Sequence, residues 1–193
     1  MSAVDPARLA FPLIDRPTGA VPSKARQLRV DECSVDHARA LIRAWHSRLP
    51  VTQASLWKYA MRAHFDGITY AVALWNNPSA RMLPAQWLEL RRMAVAPDAP
   101  HCTASRFLGE MRKYLARVEP HAGVLLSYQD TAVHTGTIYR AAGWEPAYTS
   151  KPRVRDRSTT RPSGAMYRTN INGAAPDAAG KVRWQCAVLA GTA

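Results

Sequence analysis

The chain has 193 residues, of which 47% are hydrophobic, and a formal charge of +12. That length and apolar content suit one packed domain and exclude a wholly disordered chain. No stretch is long enough to span a bilayer, so a cytoplasmic protein with no membrane role is expected. The surplus of Lys and Arg favours a polyanionic partner such as DNA or RNA. Cys33, Cys102 and Cys186 are too few and too dispersed for a disulfide framework or a cysteine-built zinc site.

Residues 1–27, rich in Pro and Ala, read as an N-terminal arm. Leu28 to Val30 makes a first strand. Ser34 then caps a helix whose apolar residues Val35, Ala38, Leu41, Ile42 and Trp45 recur at helical spacing, and Pro50 stops the continuation. Tyr59, Met61, Ala63 and Phe65 alternate with Lys58, Ala60, Arg62 and His64. Asp66-Gly67 follows, a pair suited to a two-residue turn, so a β-hairpin with one face on a core is predicted with Ile68 to Leu74. Another strand runs from Trp87 to Val95. After a Pro-rich loop, Thr103 or Ser105 caps a helix with Phe107, Leu108, Met111, Leu115 and Val118 on its apolar face. Val124 to Tyr128 is a buried strand. A short helix from about Val133 to Ala142 ends at Gly143, and Trp144 to Tyr148 begins a further strand.

From Lys151 the character changes: Lys151, Arg153, Arg155, Arg157 and Arg161 surround a single acid, Asp156. Strands at Met166–Thr169 and Lys181–Val188 complete the reading. The order predicts an α+β fold, a mixed central β-sheet flanked by helices. Residues 28–150 form the catalytic domain and 151–193 a basic C-terminal extension. The same order is that of the GNAT acyltransferase fold, an analogy of fold that does not decide function.

Three segments carry chemistry. The first is the loop from Val95 to the helix at Thr103, because a strand that feeds a helix N-terminus leaves N–H groups free to hold an anion. Acyltransferases of this fold hold a cofactor pyrophosphate there, usually on a glycine-bearing loop. This chain has His101-Cys102-Thr103-Ala104-Ser105-Arg106 instead. Ser105 and Arg106 are the phosphate-binding candidates, with a plain cap as the alternative for Ser105. The second is Glu89-Leu90-Arg91-Arg92. Strict alternation sets Arg92 on the face of Leu90, where a charge needs a partner: a donor phosphate, the DNA backbone or a structural carboxylate. The third is Ser127-Tyr128-Gln129-Asp130 at the end of a buried strand, followed by His134 and Tyr139. Asp130 is a candidate general base or metal ligand, His134 its partner and Tyr139 a hydrogen-bond donor or acid. Taken singly, these residues have structural readings as a cap, a surface residue and core.

The ordered set His46-Ser47-Arg48-Leu49-Pro50, Glu89-Leu90-Arg91-Arg92-Met93, Ala99-Pro100 through Ser105, Ser127-Tyr128-Gln129-Asp130 and His134-x-Gly136-Thr137-Ile138-Tyr139-Arg140-Ala141-x-Gly143-Trp144 resembles the phage Mom DNA-modification family over roughly residues 28–150. The family usually has Tyr where His46 stands and Ala where Gln129 stands. The resemblance implies a GNAT-like fold and conversion of adenine in DNA to N6-carbamoylmethyladenine, which shields phage DNA from restriction inside the bacterial host cell. It implies donor binding at Arg92 and Ser105, and chemistry or metal binding at His46, Asp130 and Tyr139. Ser127 joins the catalytic candidates, Arg106 the donor-binding ones and His134 the metal set with His46 and Asp130. An iron requirement is associated with the family.

Adenine N6 is a poor nucleophile and lies hidden in a duplex. A base such as Asp130 or a metal is needed, and the target adenine of double-stranded DNA must flip out. Lys151, Arg153, Arg155, Arg157 and Arg161 are the expected grip on the backbone. Tyr128, Tyr139, Trp45 and Trp144 are candidates to stack on the flipped base, with core packing as their alternative. The donor is open between acetyl-coenzyme A and an aminoacyl-tRNA, the latter making tRNA a second partner. Two other functions stand beside this one: an N-acetyltransferase acting on a small amine or peptide, and a non-catalytic nucleic-acid-binding protein.

Overall fold

The computed structural model describes residues 21–46, 56–150 and 180–188. Lys151, Arg153, Arg155, Arg157 and Arg161, the predicted strand at 166–169 and most of the N-terminal arm lie outside the described residues. After a single 3-10 turn at Ala25–Gln27 come β1 (Arg29–Glu32), α1 (Val35–Trp45), β2 (Tyr59–Phe65), β3 (Ile68–Asn76), β4 (Leu88–Val95), α2 (Thr103–Val118), β5 (Val124–Asp130), α3 (Thr137–Ala141), β6 (Glu145–Ser150) and β7 (Lys181–Ala187). They build a mixed seven-stranded sheet in the order β1-β2-β3-β4-β5-β7-β6. Among the described residues no helix is long and apolar enough to cross a membrane.

Local chemistry explains most of the elements. The Ser34 side chain accepts the N–H of His37 and starts α1, as its sequence predicts. Asp66 and Gly67 both take positive φ, 48° and 77°, giving the hairpin its tight turn. Gly143, at φ 72°, ends the segment after α3. The start of α2 departs from expectation. Its N-cap is Cys102 in the left-handed region, with no side-chain cap. Thr103 Oγ1 donates to the Pro100 carbonyl and Ser105 Oγ to the Cys102 carbonyl, so both hydroxyls are turned back into the loop.

The core has two parts, one on each face of the sheet. On one face, Phe107, Leu108, Met111 and Leu115 of α2 join Met61, Trp75, Leu88, Leu90, Leu125, Tyr139, Trp144 and Trp184. On the other, Ala38, Leu41 and Ile42 of α1 pack on Ala60, Val72, Leu74 and Ala94. The β2–β3 hairpin is thus covered on both faces, where its alternation suggested one. Lys181–Ala187, predicted as a strand of the C-terminal extension, pairs with both β5 and β6. The sheet therefore runs past residue 150 in sequence, and its penultimate strand comes from the last residues of the chain.

Candidate active site

Two features of β4 create the site. The first is a bulge. Leu74 pairs with Arg92 while Trp75 pairs with Leu90, which leaves Arg91 as an extra residue. Strict alternation would put Arg92 on the face of Leu90. The extra residue reverses this: Leu90 faces α2 with its partner Trp75, and Arg92 faces α1 with its partner Leu74. The second is the parting of β4 from β5. These parallel strands pair only over Leu88–Leu90 and Leu125–Ser127, and beyond that their ladder stops. The residues that follow on each strand, Arg91 on β4 and Tyr128 on β5, are no longer paired with one another.

At the apex of this split lie Ser127 and Tyr139. Ser127 Oγ donates to the Leu90 carbonyl at 3.1 Å and shares a 3.0 Å hydrogen bond with the Tyr139 hydroxyl. Both residues are buried, at 3% and 8% exposure. The Tyr139 ring is clamped between aromatics, stacked on Trp184 at 5.4 Å and 12° and tilted against Trp144 at 5.7 Å. Burial pushes its pKa up, against the opposing pull of the Ser127 hydrogen bond, so the phenol keeps its proton at neutral pH. Tyr139 and Trp144 are therefore core aromatics whose faces are taken, which removes them as platforms for a flipped base. Tyr128 and Trp45 are half-buried.

The remaining candidates gather on the α1 side. Burial, then the charges of Arg92 and His134, hold the His46 pKa below its ordinary value, so its imidazole is neutral at pH 7. The fold thus brings Arg92 from β4 and His134 from the turn after β5 within electrostatic reach of His46 at the end of α1. Arg92 also donates to the Arg91 carbonyl at 2.6 Å. Asp130 ends β5. Its Oδ1 accepts the Ala132 N–H at 3.0 Å and its carbonyl accepts the N–H groups of Val133 and His134, which ties the turn together.

The metal set expected from the resemblance is not assembled. Among the described residues no three His, Cys, Asp or Glu side chains come together to hold an ion. His134 is exposed on the turn after β5, and one carboxylate oxygen of Asp130 is engaged by the backbone of that turn. Arg92 and the Ser105–Arg106 pair are also divided. α2 packs on the face of Leu90, whereas Arg92 points to the face of α1. The first turn of α2, free of a side-chain cap, is what remains for an anion on the α2 side, with Ser105 and Arg106 on it. Arg106 lies 3.5 Å from Glu110.

Three residues matter more than their sequence context suggested. Gln129 is buried, accepts the Trp184 indole N–H at 2.6 Å and donates to the His134 carbonyl. It thereby fastens the turn that carries His134 to the strand that carries Ser127. Trp184 backs Tyr139. Gly136, at φ 77°, sits so close that a Cβ would lie 2.5 Å from Trp184 and 2.7 Å from Gln129. The period-two run Val182, Trp184, Cys186 marks a strand, and nothing in it points to a strand some fifty residues earlier.

A sequence model of the Mom protein family matches residues 27–175. No curated protein matches the chain. Solved structures share its fold. The ribosomal-protein-S18-alanine N-acetyltransferase from Escherichia coli is 12% identical with a TM-score of 0.54, covering 86% of this chain and 97% of its own. An acetyltransferase from Bacillus subtilis in complex with CoA is 13% identical with a TM-score of 0.56, covering 84% and 99%. The ribosomal-protein-alanine N-acetyltransferase from Brucella melitensis is 15% identical with a TM-score of 0.54, covering 83% and 99%. At these identities the likeness concerns the GNAT-like fold.

Proposed function

Because the chain belongs to the Mom protein family, we propose that it is a transferase that converts adenine in DNA to N6-carbamoylmethyladenine and so protects phage DNA from restriction. The observation that carries the reading is the family match across residues 27–175, which contain the whole β4–β5 split. In this reading the flipped adenine enters from the α1 side, between Arg92 of β4 and Asp130 of β5. As the new bond from N6 to the transferred carbon forms, that carbon's bond to the donor's leaving group breaks, the leaving group departs with the bonding pair, and N6 loses a proton. Asp130, or the neutral imidazole of His46, takes that proton, while the hydrogen-bond chain from Tyr139 through Ser127 to the Leu90 carbonyl fixes the apex of the split from the opposite face of the sheet. Arg92 clamps a phosphate. Ser105 and Arg106 hold a donor phosphate at the open first turn of α2. Lys151, Arg153, Arg155, Arg157 and Arg161 supply the salt-sensitive grip on the DNA backbone.

The fold of the neighbours supports a second reading, acetyl transfer from acetyl-coenzyme A to a small amine or peptide. Mass spectrometry of nucleosides from plasmid DNA, with and without expression of the chain, separates the two. The proposal expects a new adenine nucleoside heavier by one carbamoylmethyl group. Unchanged DNA in cells with folded protein, together with a thermal shift on adding acetyl-coenzyme A, favours the second.

A further inference from the structure

Among the described residues, the α1-side face of the sheet is covered unevenly. α1 packs on β2, β3 and β4, and the core on that side contains no residue of β5, β6 or β7. Ser127 and Gln129 of β5 point the other way, as their bonds to Tyr139 and Trp184 require. Alternation therefore puts Tyr128 and Asp130 on the α1-side face. Tyr128 pairs across the ladder with Arg183 of β7, and Arg183 with Tyr148 of β6. Directly paired residues share a face, so Tyr128, Arg183 and Tyr148 form one transverse stripe.

The stripe has the makings of a stacking surface. The Arg183 guanidinium lies over the Tyr148 ring, 5.6 Å from its centroid. Tyr148 is 56% exposed. Among the described residues the charge of Arg183 meets no carboxylate, and its buried Nε has no hydrogen-bond partner. One step along the ladder, Asp130 pairs with the exposed Lys181, so the stripe leads to the end of β5 where the candidate site lies. An aromatic–arginine–aromatic row on a sheet face that α1 does not cover, with a positive charge that meets no carboxylate among the described residues, fits planar bases joined by phosphates.

We propose that Tyr128, Arg183 and Tyr148 are a nucleobase-stacking platform for unstacked bases of the DNA strand that is modified. The inference rests on the reading of the site as one that acts on DNA. It assigns the stripe to the bases beside the flipped adenine, while the adenine itself lies where the β4–β5 ladder ends.

Binding tests the proposal without any turnover. A labelled single-stranded oligodeoxynucleotide, its duplex and an RNA of the same sequence are titrated against the full chain at several salt concentrations. Tyr148→Ala is expected to weaken single-stranded DNA binding about tenfold, the loss that ~1.4 kcal/mol of stacking gives, and Tyr148→Phe to restore it. The salt dependence stays that of the wild type, because no charge is removed. In the wild-type chain, bromodeoxyuridine in the oligonucleotide is expected to photocrosslink to Tyr148 or Tyr128. Wild-type affinity in Tyr148→Ala with no crosslink to either tyrosine overturns the platform. Tyrosine-dependent binding confined to RNA overturns the assignment to DNA. Unmodified cellular DNA with Tyr148-dependent binding of single-stranded DNA sinks the enzymatic reading and leaves the platform standing. Modified DNA with binding indifferent to Tyr148 does the reverse.

Discussion

Substituting Gly136 with Ala isolates the packing that holds Tyr139 in place. Two costs add. At φ 77° any L side chain is strained, at about 1–2 kcal/mol. The new Cβ would also stand 2.5 Å from Trp184 Cζ2 and 2.7 Å from Gln129 Oε1. Neither neighbour yields easily. They are 3% and 5% exposed, bonded to each other at 2.6 Å, and Trp184 is stacked on Tyr139. Overpacking of this kind costs about 1–3 kcal/mol. Gly143→Ala is the control, since Gly143 has φ 72° and a Cβ there would meet nothing within 4 Å, so it bears the conformational cost alone. Urea denaturation followed by tryptophan fluorescence should show Gly136→Ala less stable than Gly143→Ala by about 1–3 kcal/mol with an unchanged m-value. If the chain modifies adenine as proposed, that activity should fall with it, because the displaced indole moves the Tyr139 ring off Ser127. Equal stability of the two variants would refute the claim that Gly136 is dictated by close approach.

Tyr139→Phe removes one hydroxyl and leaves the ring stacked. It should cost about 1 kcal/mol, since Ser127 keeps the Leu90 carbonyl as acceptor, yet lower modification about a hundredfold or more if the phenol acts in the reaction; full activity would assign it to packing. For His46, burial and the charges of Arg92 and His134 disfavour the imidazolium, so its folded pKa lies below 6.5. The stability this group contributes is complete above 6.5 and is lost as pH falls through the folded value. An NMR titration should find a depressed pKa for His46 that moves up in Arg92→Gln; no movement would mean that Arg92 does not bear on it. A chain ended after residue 175, where the family match stops, lacks β7, so β5 and β6 lose their common partner and Tyr139 its stacking face. Such a chain should show no cooperative thermal transition; a wild-type transition would contradict the place of β7 in the core.

Local interactions decided much of this fold, and those were legible from residues close in sequence. Ser34 caps α1 because its hydroxyl reaches an N–H three residues on, and Asp66-Gly67 turns the hairpin because both residues accept positive φ. The apolar stripes of α1 and α2 follow from a period that any window of the sequence displays. The residues of the site, too, were visible as polar groups at the ends of buried strands. What joined or divided them was not. A single extra residue at Arg91 moved Arg92 to the opposite face of the sheet, and only pairing with β3 reveals a bulge. Asp130 and His134 were expected beside His46, and among the described residues no three such side chains gather to hold an ion, while one Asp130 oxygen accepts an N–H of its own turn. Trp184 entered beside Tyr139 from a strand far along the chain, and Gln129 met its indole donor only once β7 lay between β5 and β6. Capping, turns and periodicity are governed by neighbours along the chain. Which face a side chain takes, and what it meets there, is settled by strand pairing between distant segments.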